Sequence, residues 1–374
     1  MEKDWITLNR ESYRERSIDL KAYGLSERFE QEATIYEGLY LARVTEQHRE
    51  LYQLVCVNGE LAAGVSGKFA YEAGEPLDFP VVGDWVMIDR LDAGSGNAVI
   101  HQVLRRRSIV SRQAAGTGVL AQPIAANIDI IFICMSLNAD FNLRRAERYL
   151  TIAWDSMATP VIVLTKSDLC EDLQDRLQEI ASVSMGVEVI ACSAENDHGL
   201  SEIKERLAFG KTIAFIGSSG VGKSTLINRL MGHAVLTTKE IRKDDDKGRH
   251  ATTHRQLLLL PDGGMVIDTP GMRELQIYTG DLSKSFENIE ALAAQCRFAD
   301  CSHSAEPGCM VRKAIEDGLL AEERLESYLK LRQEMTYSGM NSRQIEADKI
   351  NRMFGGKGEL KRVMREIKNR DKNR

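Results

Sequence analysis

The chain has 374 residues, of which 43% are hydrophobic and 28% are charged, and its formal net charge is −6. This length exceeds what one compact core needs and predicts two to four globular domains. The sequence contains no apolar run long enough to span a bilayer and no signal-peptide pattern, so we expect a cytoplasmic protein, and the negative charge argues against nonspecific coating of nucleic acid.

Residues 1–35 are charged and only weakly periodic. Within them, Leu20, Tyr23, Leu25 and Phe29 are spaced so that they could form one amphipathic helical face. We assign no function to this N-terminal extension.

Residues 36–115 are rich in short strand-like runs separated by polar turns such as Asn58-Gly59. This texture predicts a small closed all-β barrel, most simply an OB-fold. The barrel either binds RNA or only packs against its neighbour, because a fold alone does not specify function. The predicted strands are Gly38–Val44, Glu50–Val57, Glu60–Ser66, Val81–Asp89 and Val99–Ser111.

Residues 116–275 alternate apolar strand-like runs with helical patterns. Such alternation is typical of an α/β domain with a parallel sheet covered on both faces. The predicted strands are Ile128–Met135, Pro160–Leu164, Val187–Ala191, Thr212–Ile216 and Met265–Ile267, and the predicted helices are Leu143–Trp154, Leu169–Ser182 and Thr225–Met231.

A phosphate-loop motif, Gly217-x-x-x-x-Gly222-Lys223-Ser224, lies between one of these strands and a helix. In this setting backbone N–H groups and the helix N-terminus attract phosphate. Lys223 would bridge the β- and γ-phosphates, and Ser224 would bind Mg²⁺. The predicted contacts are Gly217, Ser218, Ser219, Gly220, Val221, Gly222, Lys223, Ser224 and Thr225.

The base is specified by a second motif, Thr165-Lys166-Ser167-Asp168, which follows a predicted strand. The Asp168 carboxylate could accept both the N1–H and the 2-amino hydrogen of guanine, a donor pair that adenine lacks. Lys166 would lie over the ring, and Ser193-Ala194 would bring the Ala194 N–H to the guanine O6. The sequence therefore predicts GTP rather than ATP.

The order of these motifs is unusual, because the guanine motif precedes the phosphate loop, whereas in ordinary small GTPases it follows. Asp268-Thr269-Pro270-Gly271 comes after both, with Asp268 placed to hold Mg²⁺ through water and the Gly271 N–H to contact the γ-phosphate. The motifs of a GTPase are therefore all present, but in a rotated order along the chain. As a result, the segment that follows Gly271 could change its conformation in response to the γ-phosphate.

The highly charged Lys239–Lys247 segment and the Gly248–His254 segment after it predict a mobile loop. We favour Thr253 as the Mg²⁺ ligand of this loop, with Thr252 as the alternative. A plain solvated loop is the simpler interpretation.

Two positions depart from ordinary GTPases. Thr165 stands where an asparagine is usual, which puts nucleotide affinity in question, and Met272 stands where signalling GTPases carry the glutamine that orients water. We therefore expect slow intrinsic hydrolysis, with His250 as the candidate replacement. The competing interpretation is that His250 contacts RNA or is merely solvated.

Three thiols and one imidazole crowd into fourteen residues near the C-terminus: Cys296, Cys301, His303 and Cys309. Four such ligands suit tetrahedral Zn²⁺ with no open position, which favours a structural site. Chance proximity is the alternative.

Basic residues are unevenly distributed. Residues 342–374 contain eleven Lys and Arg against five Asp and Glu, and Arg105-Arg106-Arg107 form a second cluster. Either could contact phosphate.

Together these motifs resemble the RsgA (YjeQ/EngC) family of circularly permuted GTPases of bacterial small-subunit maturation. The resemblance rests on the motif order, the Gly248–Thr253 loop, the Asp268–Gly271 turn and the cysteine cluster beside Glu306-Pro307-Gly308. It covers roughly residues 36–340, although Ala251 interrupts a usually continuous threonine tract, which leaves the Mg²⁺ ligand open.

The resemblance implies an OB-fold at 36–115, a permuted GTPase at 116–275 and a mostly helical zinc domain at 276–340. The N-terminal extension at 1–35 and the basic tail at 341–374 lie outside it. The resemblance also implies binding to the 30S subunit and its 16S rRNA, ribosome-stimulated GTP hydrolysis that releases the protein, and a water-directing histidine that maps to His250. We expect a monomer. A nucleotide-gated RNA-binding scaffold is the alternative, and a metabolic enzyme is disfavoured because no second catalytic constellation occurs.

Overall fold

The computed structural model describes residues 17–48, 51–92, 94, 96–113, 121–138, 140–236, 255–268 and 282–337. The chain divides into two compact units, one of residues 1–111 and 123–275 and the other of residues 112–122 and 276–374. The finer division expected from the sequence stays a prediction. No helix in the described part of the chain is long and apolar enough to cross a membrane.

The N-terminal half of the first unit contains a closed five-stranded barrel. Its strands pair in the ring order β1-β2-β3-β5-β4 and back to β1, with only β3 and β5 parallel. Alternating apolar side chains fill the interior, and the OB-fold prediction is confirmed. The strands are β1 (Tyr40–His48), β2 (Leu51–Cys56), β3 (Gly59–Val65), β4 (Trp85–Ile88) and β5 (Ala98–Val103), with helix α1 (Glu27–Ala33) before them and α2 (Gly67–Glu72) after β3.

The segment before β1 packs on the outside of the barrel. Leu20 and Phe29 are buried against Trp85, with the Phe29 and Trp85 ring centroids 5.8 Å apart. They share one apolar face but not one helix, because Gly24 adopts a φ of 77° between the turn that holds Leu20 and α1.

The rest of the first unit is an α/β sheet in the order β10-β9-β8-β11-β13-β12, in which all pairs are parallel except β12 with β13. Apolar side chains from the strands and helices form one core. Before it along the chain, β6 (Ile109–Gln113) and β7 (Ala121–Ala126) form a two-stranded sheet, and the boundaries between the two units fall within these two strands. The remaining elements are β8 (Ile130–Ser136), α3 (Leu143–Asp155), β9 (Thr159–Thr165), α4 (Leu173–Ala181), β10 (Glu188–Ala191), α5 (Leu200–Arg206), β11 (Thr212–Ile216), α6 (Lys223–Met231), β12 (Arg255–Leu259) and β13 (Met265–Asp268).

The predicted strands and helices of this domain are present, with one notable shift. Helix α4 begins at Leu173 rather than Leu169, because Ser167–Leu169 form a separate 3-10 turn. Cys170, the residue after that turn, is extended with φ −106° and ψ 118°, and it separates the turn from α4.

The barrel and the α/β domain share one continuous sheet of eleven strands. Strand β1 of the barrel pairs with β12, Glu46 opposite Gln256 and Gln47 opposite Arg255. Gln256 in turn lies opposite Asp268 on β13. Strand β1 of the barrel is therefore connected through β12 to the position of Asp268 on β13.

Arg43 of β1 lies at the junction of the two domains and is only 1% exposed. Its guanidinium donates to the Thr212 Oγ1 at 2.9 Å, to the Gly83 carbonyl at 3.2 Å and to the Tyr23 carbonyl. Burial lowers the pKa of Arg43 to about 9, although the negative charge of Asp129 acts to raise it. A charge buried this deeply is tolerated only because its donors are hydrogen-bonded.

The second unit is mostly helical, as predicted. Its helices are α7 (Leu282–Ser285), α8 (Glu287–Ala293), α9 (Met310–Glu316) and α10 (Glu322–Tyr337). Phe286, Ile289 and Val311 are fully buried, and Arg324 lies over the Phe286 ring while donating to the Ser285 carbonyl.

Replacing Arg43 tests the junction. Arg43→Ala leaves the Thr212, Gly83 and Tyr23 acceptors without this donor, so we expect the free energy of unfolding to fall by about 2–4 kcal/mol. Urea denaturation followed by circular dichroism measures it. Arg206→Ala is the control, because Arg206 only pairs with Glu188 at an exposed site, and equal effects of the two substitutions would contradict the expectation.

Candidate functional site

The phosphate-loop motif forms a tight connection between β11 and α6. Gly217, Gly220 and Gly222 adopt φ values of 142°, 79° and 95°. A Cβ on Gly217 would lie 2.2 Å from the Cys134 carbonyl oxygen of the neighbouring strand β8. Only glycine permits this approach, which brings the loop close to the backbone of β8 at the end of the sheet.

The lysine of the motif is turned into its own loop. Lys223 Nζ donates to the Gly217 and Ser218 carbonyl oxygens, each at 2.6 Å. Asp268 stands at the end of β13, which pairs with β11 through Ala214 and Ile267. Burial raises the pKa of Asp268, and the Lys223 charge counteracts this. The structure therefore brings Lys223 and Asp268 to one edge of the sheet.

The guanine motif is bonded directly to the phosphate loop. Thr165 Oγ1 donates to the Val221 carbonyl at 2.5 Å, and Lys166 Nζ donates to the Gly220 carbonyl at 2.9 Å. Thr165 is buried, so its hydroxyl takes part in joining β9 to the loop. Asp168 lies in the exposed 3-10 turn with its carboxylate accessible.

The loop with Ser193 and Ala194 lies beside that turn. The Ser167 N–H donates to the Cys192 carbonyl at 3.1 Å, and the Ser193 N–H donates to the His198 carbonyl at 2.9 Å. Ser193 is fully buried. Ala194 and Thr225 line one cleft between α5 and α6, so the motifs predicted to bind base and phosphate converge.

One residue near the phosphate loop was not singled out by the sequence. Tyr149 of α3 is 3% exposed, and burial raises the pKa of its hydroxyl, an effect that the Ser218 side chain counteracts. The only sequence signal is a tyrosine on the apolar face of a helix, which gives no indication of its surroundings.

His250, Thr252, Thr253 and Gly271 lie outside the described residues. Their predicted roles stay predictions. The basic tail, residues 341–374, lies outside them as well.

The three thiols and the imidazole of the second unit come together. The ligand atoms of Cys296, Cys301, His303 and Cys309 all lie within 4.8 Å of one another. The Cys296 and Cys309 sulfurs are 4.0 Å apart, and His303 Nδ1 lies 3.5 Å from the Cys309 sulfur. Tetrahedral Zn²⁺ with Zn–S bonds of about 2.3 Å needs sulfurs roughly 3.8 Å apart, so the cluster fits such an ion.

The backbone around the cluster is held by polar contacts. Glu306 accepts the N–H groups of Ser302 at 2.8 Å and Ser304 at 3.0 Å, and these bonds, led by that of the Ser302 hydroxyl, lower its pKa to about 2. Arg312 Nε donates to the His303 carbonyl at 2.7 Å. Burial lowers the pKa of His303, which favours the neutral imidazole that binds metal.

Known proteins share both the sequence and the fold of this chain. The RsgA GTPase family model matches residues 103–278. The small ribosomal subunit biogenesis GTPase RsgA 2 of Lactiplantibacillus plantarum is 56% identical, covering 93% of this chain and 98% of that protein. The corresponding RsgA 1 of Oceanobacillus iheyensis is 45% identical over 79% of this chain and 85% of that protein.

Two solved structures share the fold. YjeQ from Thermotoga maritima is 28% identical, with a TM-score of 0.59 over 80% of this chain and 99% of that chain. YloQ, described as a circularly permuted GTPase, is 21% identical, with a TM-score of 0.56 over 80% of this chain and 96% of that chain. The resemblance inferred from the motifs is confirmed: this chain belongs to the RsgA GTPase family and is a circularly permuted, GTP-hydrolysing enzyme.

Proposed function

We propose that this GTPase binds the 30S ribosomal subunit, acts in its late maturation, and hydrolyses GTP in a ribosome-stimulated manner to drive its own release. The bonding of Thr165 and Lys166 to the phosphate loop carries the nucleotide-binding part of the proposal. The ribosomal part is supported by relatives whose names state small ribosomal subunit biogenesis. A ribosomal partner would place the enzyme in the cytoplasm, where we expect a monomer.

In this proposal the nucleotide lies across the edge where β9, β11 and β13 end. Backbone N–H groups from Gly217 to Thr225 surround the phosphates, and Lys223 exchanges the carbonyls of its own loop for phosphate oxygens. Ser224, Asp268 through a water, and Thr253 or alternatively Thr252 would hold Mg²⁺, and the Gly271 N–H would contact the γ-phosphate.

Base recognition in this proposal rests on the Thr165–Asp168 segment and on the loop that contains Ser193 and Ala194. The exposed Asp168 carboxylate accepts from guanine, Lys166 covers the ring, and the Ala194 N–H donates to the O6. The Ser167 N–H ties its turn to the Cys192 carbonyl of the neighbouring loop, and the Ser193 N–H closes that loop on the His198 carbonyl.

Asp168→Asn tests the choice of base. Loss of a charge-assisted bidentate contact should weaken GDP binding about 10- to 100-fold, as measured by calorimetry. The asparagine amide can donate to the 2-oxo group of xanthine, so binding of xanthosine diphosphate should improve. Asp172→Asn, four residues away and also exposed, is the matched control, and tight ATP binding by the wild type would refute the assignment.

Turnover is proposed to depend on His250, because the apolar Met272 cannot orient water. His250→Ala should lower 30S-stimulated turnover about 100-fold or more while leaving GDP affinity unchanged. Phosphate release with and without purified 30S subunits measures this. His233→Ala, at an exposed histidine after α6, serves as the control.

The His250→Ala variant also distinguishes the two candidate functions, a GTPase released by hydrolysis and an RNA-binding scaffold. A release mechanism requires the His250→Ala protein to stay on 30S subunits in GTP, as judged by co-sedimentation, whereas a nucleotide-gated RNA-binding scaffold would leave as the wild type does. No stimulation of the wild type by saturating 30S subunits would refute the ribosome-coupled proposal. Contact with 16S rRNA would involve the barrel and the zinc-binding helical region.

The cysteine cluster is proposed to hold one structural Zn²⁺. The donors Cys296, Cys301, His303 and Cys309 would complete the coordination, and the ion would replace a hydrophobic core too small to order this loop.

Cys301→Ser tests the metal site. Wild-type protein should contain one zinc per chain by plasma mass spectrometry, and the variant should lose it together with the helical melting transition of the second unit, since metal binding is coupled to folding. GDP affinity should persist. Cys170→Ser, outside the cluster, should retain the zinc, and an unchanged zinc content in Cys301→Ser would contradict the ligand set.

A further inference from the structure

The loop of residues 192–199 connects β10 to α5 and is closed where it joins the sheet. The Ser193 N–H donates to the His198 carbonyl at 2.9 Å. Gly199 adopts a φ of 70° and lies so close to β10 that a Cβ on it would be 2.2 Å from the Ala191 carbonyl oxygen. Because only glycine fits this contact, the backbone of the loop is confined at its end.

An ion pair fastens this loop to α6. Arg229 Nε donates to Asp197 Oδ1 at 2.8 Å, and Arg229 Nη2 donates to Asp197 Oδ2 at 2.6 Å. Two parallel hydrogen bonds from a planar guanidinium fix the direction of the contact as well as its length. The loop and the helix are therefore held at a defined separation.

The ion pair connects the two halves of the proposed nucleotide site. Thr225, one of the proposed phosphate contacts, lies four residues before Arg229 on α6, so the two residues share one face of the helix. Ala194, the proposed partner of the guanine O6, lines the same cleft between α5 and α6 as Asp197, Thr225 and Arg229. The pair thus sets the distance between the loop that faces the base and the helix that faces the phosphates.

The pair is placed to affect alignment more than stability. The Asp197 and Arg229 side chains are 56% and 50% exposed, and water and salt weaken exposed ion pairs, so they contribute little to folding. A hydrogen bond to the nucleotide, however, depends steeply on distance and angle. A small displacement of the loop is therefore enough to weaken the Ala194 contact.

We propose that Asp197 and Arg229 are positioning residues for guanine recognition, which hold the Ala194 N–H at the distance from the phosphate loop that a guanine nucleotide requires. The inference rests on the proposed function, which assigns the Ala194 N–H to the guanine O6. In this role both side chains act through the backbone of the loop and not on the nucleotide itself.

A double-mutant cycle of Asp197→Asn and Arg229→Met tests the proposal. Asparagine tolerates the left-handed φ of 60° at position 197, and methionine is a good helix former, so each substitution removes the ion pair and leaves the backbone. Each variant should bind GDP about 2- to 5-fold more weakly by calorimetry, as expected for an exposed pair. The double variant should be no weaker than either single one, because both remove the same contact.

A nucleotide without the guanine oxygen separates positioning from general damage. The diphosphate of 2-aminopurine riboside keeps the 2-amino group but has no O6, so it cannot accept from the Ala194 N–H. Asp197→Asn and Arg229→Met should therefore bind this analogue as tightly as the wild type does. Equal losses for GDP and the analogue, or additive losses in the cycle, would overturn the proposal.

Glu188→Gln is the matched control. Glu188 forms another exposed pair, accepting from Arg206 Nε at 3.1 Å and from Arg206 Nη2 at 2.6 Å. It lies at the opposite end of β10 from the loop, so GDP affinity should be unchanged. A loss equal to that of Asp197→Asn would show that the position of the pair is irrelevant, against the proposal.

Asp168→Asn distinguishes this inference from the site assignment. If Asp168→Asn weakens GDP binding while Asp197→Asn leaves it unchanged, the positioning role alone is wrong. If Asp168→Asn binds GDP as the wild type does, the base site itself is wrongly placed and the inference falls with it.

Discussion

The pairing of β1 with β12 is the constraint on which the first unit depends. It turns a barrel and an α/β sheet into one hydrogen-bonded sheet, and it fixes Glu46, Gln256 and Asp268 in one row across three strands. A shift of one residue would reverse every side chain of β12, moving the buried Leu258 to the opposite face. Burial on both sides of the junction therefore specifies the register.

Arg43 adds hydrogen bonds to the apolar packing that specifies this register. Its hydrogen bond to Thr212 reaches the first residue of β11, the strand that carries the phosphate loop. Thr212 is held further by its N–H, which donates to the Asp129 carboxylate at 2.9 Å. One barrel side chain thus contacts the base of the strand whose far end carries the phosphate loop.

The local motifs were predictable because their chemistry is local. The glycines of the phosphate loop and the spacing from Cys296 to Cys309 carry their function in short segments, and the alternation of apolar residues predicted the barrel and the sheet. The β1–β12 pairing and the environment of Arg43 join residues far apart in sequence. No periodicity encodes such partners, and the extended Cys170 that separates the Ser167–Leu169 turn from α4 has no propensity signal either.

The rearranged order of the motifs is consistent with the same physics. A parallel sheet is assembled by pairing, so the ends of β9 and β11 meet at one edge whichever comes first in the chain. Thr165, standing where an asparagine is usual, can therefore still bridge to Val221 with its hydroxyl. Since a hydroxyl has one proton, the 2.5 Å bond to Val221 takes it, and the Met135 carbonyl at 3.3 Å is the weaker partner. The smaller side chain keeps the link between base and phosphate motifs while giving up the second donor that an amide would provide.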